Sequence, residues 1–260
     1  MKKMFNFFKR NLKESLRTPL IYVFCLGFPL VMLILFQIIN KYTGGNTPMF
    51  ELYSLLPGII MFSYTFVMLT MVLLVSKDRQ TSFLKRLYSS PMKSYQFVIG
   101  YALVGFVIGL FQTVICVLTG FVIALIINVN LISFVQTLLL ILSQLPILII
   151  NIFIGILLGT LFNDKTAPGL CSVFISVAGI LGGCWMPLDS MGNFELFCRF
   201  LPFYPSVYIG RIVTGATKTL GGTYTFDKVA GFGLIPIIIF LLLSVILSFV
   251  IFKMNMVSDK

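Results

Sequence analysis

The 260-residue sequence is 58% hydrophobic and 10% charged, with a net charge of +11 and a mean hydropathy of +1.04. A soluble domain carries about 25% charged residues, so these values exclude a water-covered globular fold. The charges are also clustered, with none in residues 100–163, as expected where a charge at a helix centre costs about 2.5–3.5 kcal/mol. The composition predicts an all-α integral membrane protein.

Taken in chain order, residues 1–17 come first. Phe5, Phe8, Leu12 and Leu16 fall on one side at helical spacing, with Lys9, Arg10, Lys13 and Arg17 on the adjoining side. That pattern predicts a helix lying in the headgroup layer; the plainer alternative is a basic tail that only sets topology. Six spans follow, at about 20 residues per crossing: 20–39, 55–75, 96–127, which is long enough to tilt or project beyond the bilayer, 131–161, the short 167–183, which stops at Gly182-Gly183, and 231–252. Thr18-Pro19 opens the first, and Pro146 is expected to interrupt the fourth. Asn128-Val129-Asn130 and Asn163-Asp164-Lys165 read as tight turns. Because the first apolar run is of spanning length and lacks a small-residue cleavage site, no cleaved signal peptide is expected.

Two further segments carry information. In the charged loop 76–95, Thr81 or Ser82 can cap a short helix that Pro91 ends. Phe83, Leu84, Leu87 and Tyr88 give it an apolar face, flanked by Lys85 and Arg86. Such a helix suits docking into a groove on another protein, or resting on headgroups. Residues 184–228 mix aromatics, prolines and few charges. They read as one or two short re-entrant helices in the outer leaflet, with Trp185, Tyr204 and Tyr208 at interface depth, or as a loop lying on the membrane.

Positive charge sets the orientation. Fourteen of the 19 Lys and Arg fall on the side that would hold both termini and the 76–95 loop, which places both termini in the cytoplasm of a multi-pass cell-membrane protein. The basic balance therefore speaks of anionic lipid headgroups, not of nucleic acid, since no contiguous basic soluble domain exists.

Catalytic chemistry finds no purchase. There is no His, so neither a His triad nor a His-containing metal site can be built. No Asp or Glu falls inside a predicted span, which argues against an aspartyl dyad or a carboxylate proton relay. The nearest approach to a phosphate-binding loop, Gly210 to Thr217, lacks the Lys that the motif needs. Gln37, Gln112, Gln144 and Asn151 are the polar side chains expected within spans, either lining a path or packing helices together. Gly105/Gly109, Gly155/Gly159 and Gly179/Gly183 have the spacing of close helix contacts. Cys184 and Cys198 would both lie outside, where a disulfide is permitted but not required.

Together the basic amphipathic start, the six spans, the amphipathic loop helix and the phrase Leu87-Tyr88-Ser89-Ser90-Pro91-Met92 resemble the permease subunit of type-2 ABC exporters. The pattern of Gly182-Gly183, Pro187-Leu188 and Tyr204-Pro205 before the last span adds to the likeness, which runs over nearly the full length. Tyr204 stands where that family usually has Asn. The resemblance implies a homodimer or heterodimer of permeases on two cytosolic ABC ATPase subunits, with ATP and Mg bound by those partners and no cofactor in this chain. It also implies that Thr81–Tyr88 is the helix that couples ATPase closure to the membrane path. An apolar path suits hydrophobic or amphipathic cargo such as a drug, an antimicrobial peptide or a lipid. The alternative is a secondary transporter or channel not coupled to ATP.

Overall fold

The computed structural model describes residues 2–45, 47–80, 92–129, 132–226 and 228–258. The described residues are almost entirely helical, and the only pairing of extended chain among them is an isolated bridge between Thr217 and Thr223. Helix α1 is Lys2–Leu16. Helix α2 joins three pieces: Pro19–Ile21, a π-helical stretch Tyr22–Gly27, and Phe28–Tyr42. Pro29 lies in the turn after the π stretch and has no N–H to give back to it, a common setting for a widened turn. Then come α3 (Leu52–Gln80), α4 (Ser94–Ile127), α5 (Phe134–Leu161) and α6 (Ala167–Leu181). Two short helices, α7 (Asn193–Arg199) and α8 (Phe203–Thr214), precede α9 (Lys228–Ser258).

Among the described residues, five helices are long and apolar enough to cross a membrane: α2, α3, α4, α5 and α9. Helix α6 has 15 residues, about 22 Å of rise, short of the roughly 30 Å of hydrocarbon. It begins among Met68 and Val72 of α3 and ends where Gly58 meets Cys184, so it covers only part of the length of α3. The expected fifth span is thus a helix about half the length of α3, closed by the cap that follows it.

Helix α3 is the axis of the bundle. In its most apolar stretch 83% of residues are buried, against 17% for α2 and for α9, and α5, α4, α6 and α8 all pack on it. The contact with α5 is backbone-close. A Cβ added at Gly155 would stand 2.7 Å from the Met68 carbonyl oxygen, and one at Gly159 would stand 2.9 Å from that of Val72. The Gly105/Gly109 pair makes the corresponding room for Ile152 and Leu148 between α4 and α5.

Several boundaries differ from expectation for local reasons. Helix α5 starts at Phe134, not 131, because Ser133 and Gln136 form a capping box: Ser133 Oγ accepts from Gln136 N at 3.3 Å and Gln136 Oε1 accepts from Ser133 N at 2.8 Å. It then runs unbroken through Pro146. Asn128 ends α4 in the left-handed conformation, φ 54°, as the predicted turn requires. Helix α3 continues five residues past Val75 to Gln80, so Ser76–Gln80 is not loop. The predicted coupling residues Thr81, Phe83, Leu84, Lys85, Arg86, Leu87 and Tyr88 lie outside the described residues.

Candidate functional site

One end of the bundle is built on α1. Its protein-facing side is Phe7, Asn11 and Ser15, all buried, while Phe5 and Leu16 remain exposed. Phe7 meets Phe97 edge-on at 5.4 Å and Tyr101 at 4.9 Å. Gly100 leaves the space, since a Cβ there would fall 2.6 Å from the Phe7 ring. The predicted apolar stripe is therefore the flank of α1 rather than its docked face. A Phe7–Asn11–Ser15 face, with two polar members, gives no hydrophobic periodicity to detect.

Charges fix this docking. Arg10 reaches Asp78 of α3 with both terminal nitrogens at 3.3 Å and pairs with Glu14 at 2.9 Å. Lys77 Nζ donates to Glu14 Oε1 at 2.8 Å. The Tyr101 hydroxyl donates to Asp78 Oδ2 at 2.8 Å, and Asp78 is almost wholly buried. Lys77 bonded to Glu14, with Arg10 beside it, holds the Glu14 carboxyl below the usual carboxylate range despite some burial. Arg79 and Asn255 both donate to the Thr160 carbonyl oxygen, the latter at 2.8 Å, tying α3 and α9 to the end of α5. The last turn of α3 is thus held by α1, α4 and α5, immediately before residue 81. A hydropathy span stops at its first charge, which puts Asp78 in a loop; its partners lie 68 and 23 residues away.

The polar residues predicted within spans sit in helix seams. Gln112 Nε2 donates to the Ser63 carbonyl oxygen at 3.0 Å, and Gln144 Nε2 to that of Ser206 at 2.9 Å. Asn151 donates to Ile147 one turn back at 2.9 Å. All three are completely buried within the protomer. Gln37 is half-buried and donates to the Phe50 carbonyl oxygen at 2.9 Å, stitching α2 to the turn before α3. The structure does not bring these four together.

The opposite end carries a cap around Arg211, which is fully buried. Its Nε donates to the Ser54 carbonyl oxygen at 3.1 Å and its Nη2 to that of Gly183 at 2.7 Å. Its guanidinium lies 5.6 Å from the Tyr224 ring centroid. One turn on, Thr214 Oγ1 donates at 2.7 Å to the Tyr53 carbonyl oxygen, the group that Pro57 leaves without its helical partner. The positive φ of Gly183, 61°, makes the turn that presents its carbonyl oxygen. Tyr204 and Tyr208, expected at the membrane interface, are instead buried with Tyr224, Leu188 and Cys198 in a small core of their own. Trp185 is half-buried between Phe36 and Phe62. Cys184 and Cys198 are both free and buried. In the sequence Arg211 is only a positive charge outside the predicted spans; its partners at Ser54 and Gly183 are too remote to show there.

Among the described residues no group of His, Cys, Asp and Glu could hold a metal ion. The model of a protein family described as ABC-2 type transporter matches residues 3–214. No curated protein matches the chain.

Proposed function

The chain belongs to the ABC-2 type transporter family, as a membrane permease subunit, and from that premise we propose that it exports hydrophobic or amphipathic cargo, driven by two cytosolic ATPase subunits. ATP and Mg are then bound by those partners, with no cofactor held here. The observation that carries the coupling half of this reading is the clamped end of α3. Residues 81–88 follow Gln80 directly, and α3 is the most buried long helix of the bundle. A displacement of 81–88 would pass into the axis of the molecule rather than into a loop. Charge density then places α1 and this end in the cytoplasm.

A second permease copy has a natural seat. Helices α2 and α6 flank α3 where Phe28, Phe62 and Trp185 meet. Each turns an exposed face outward: Val31, Ile34 and Ile38 on α2, and Gly169, Ser172, Val173 and Ser176 on α6. Small side chains allow close helix approach in a membrane, and a path between two such faces would be apolar with a few hydroxyls, suited to a drug, an antimicrobial peptide or a lipid. Gln112, Gln144 and Asn151 then serve packing, and Gln37 steadies α2 beside the path.

Docked helices are anchored by their central apolar side chains. The Phe83→Ala/Leu87→Ala double variant should therefore insert normally yet lose copurification with the ATPase and the cargo-stimulated part of ATP turnover. Replacing Lys85 and Arg86 should do less, as befits a screened rim. A double variant that binds and transports like the parent would remove Thr81–Tyr88 from the coupling role.

A further inference from the structure

At the end of the bundle away from α1, helix α8 supports α7 on one side and α9 on the other. Helix α9 comes close at Gly233, where an added Cβ would lie 3.0 Å from Pro205. Between α7 and α9 a groove of about 910 Å³ opens to the surroundings, at the upper end of the size of small-molecule sites. Leu196 and Phe200 form one wall, and Phe232, Ile235, Pro236 and Ile239 form the other. Most of these side chains are exposed, as are Phe194 and Phe197 beside them. So much exposed apolar surface belongs in hydrocarbon, not in water.

Arg199 also lines the groove. Its Nε and Nη2 both donate to Glu195 Oε1, at 3.2 and 2.7 Å, and the Tyr204 hydroxyl donates to the same oxygen at 2.9 Å. Three donors on one carboxylate oxygen hold the guanidinium in place. Among the described residues, Nη1 makes no hydrogen bond. A cationic donor at the edge of hydrocarbon is costly without an acceptor. A phosphodiester supplies one through a charge-assisted hydrogen bond, and a phospholipid joins that phosphate to acyl chains that fit the apolar walls.

We infer that this groove is a phospholipid-binding site, with the headgroup phosphate on Arg199 Nη1 and an acyl chain lying along Phe232–Ile239. Glu195 acts as the positioning residue that aims the guanidinium. The inference uses the reading of the chain as a membrane-spanning permease but none of its ATP coupling.

The test is photolabelling of the full chain in nanodiscs. One probe is a phosphatidylglycerol with a diazirine midway along one acyl chain; the other is the matching diacylglycerol, which lacks the phosphate. Labelling is read on the tryptic peptide between Lys228 and Lys253. In the parent, the phospholipid should label this peptide about tenfold more than the diacylglycerol, the factor expected from one charge-assisted hydrogen bond. Arg199→Gln should abolish the difference while labelling of α1 stays unchanged. Ile239→Trp, which fills the groove and keeps the charge, should reduce labelling by both probes, and it decides the matter if Arg199→Gln does not fold. Equal labelling by the two probes in the parent, or parent-like labelling in Ile239→Trp or in a folded Arg199→Gln, would overturn the site. No ATPase takes part, so this failure is distinct from failure of the coupling reading.

Discussion

Replacing Arg211 with Met would leave the carbonyl oxygens of Ser54 and Gly183 buried without these donors. A hydrogen bond from a charged group contributes about 1.5–3 kcal/mol, and two are lost, so Arg211→Met should destabilise by about 3 kcal/mol or more. Arg211→Lys should recover little, because one ammonium cannot reproduce a planar fork that reaches both acceptors. Thermal unfolding of the detergent-solubilised chain reads the difference, and parent-like stability in Arg211→Met would refute the load assigned to this side chain. At the other end, Glu14 makes a pH-dependent contribution. Its lowered pKa means that docking of α1 favours the ionised carboxylate. That stabilisation is complete above the ordinary carboxylate range and is lost as pH falls through the lowered value. Hydrogen exchange in α1, corrected for intrinsic rates, should be flat from about pH 8 to 5 and rise below about pH 4; Glu14→Gln should exchange faster at neutral pH and show a smaller rise. Neither Arg211 nor Asp78 was legible as a structural residue in the sequence. Their partners are remote, and local hydropathy registers only a charge.

Elements were easier to read than residues, because a run of 20 apolar residues has few alternatives to a helix in a bilayer. The shortness of α6 was legible too: Gly182-Gly183 closes the apolar run that starts at Ala167, and the helix ends at Leu181 with Gly182 as its C-cap, whereas the packing of Gly179 and Gly182 against Phe62, Trp185 and Met61 involves partners that local hydropathy does not register. The start of α5 could have been found from Ser133-Phe134-Val135-Gln136, which has the spacing of a capping box. Close helix approach gives a paired test. Gly155→Leu should keep α5 off α3 and prevent a monodisperse protein, because even a Cβ there collides with backbone. A Cβ added at Gly169, by contrast, meets nothing within 4 Å, so Gly169→Leu starts into open space. It should fold normally and, if α6 faces a second copy, weaken the pairing of protomers. Size-exclusion profiles after membrane extraction distinguish the two. A well-behaved Gly155→Leu protein would contradict the packing described for α3 and α5.

For the whole molecule, the orientation proposed from the balance of positive charge, with the termini and residues 76–95 in the cytoplasm, can be tested by labelling. All five native cysteines are buried, so the background for labelling an introduced thiol is low. Cysteines at Ser82 and Asn163 should react with an impermeant reagent only after the membrane is opened, and one at Asn46 should react in intact cells; labelling of Ser82 from outside would reverse the orientation. In the function proposed above, the chain is moved by ATP hydrolysed elsewhere. The most direct test of that function is ATP turnover in proteoliposomes containing the purified chain, with and without a cytosolic ABC ATPase subunit. No turnover above background is expected for the chain alone, and ATP-dependent cargo movement is expected once the ATPase is added. Turnover by the chain alone that survives a contamination control, or cargo movement that needs no ATPase, would contradict it.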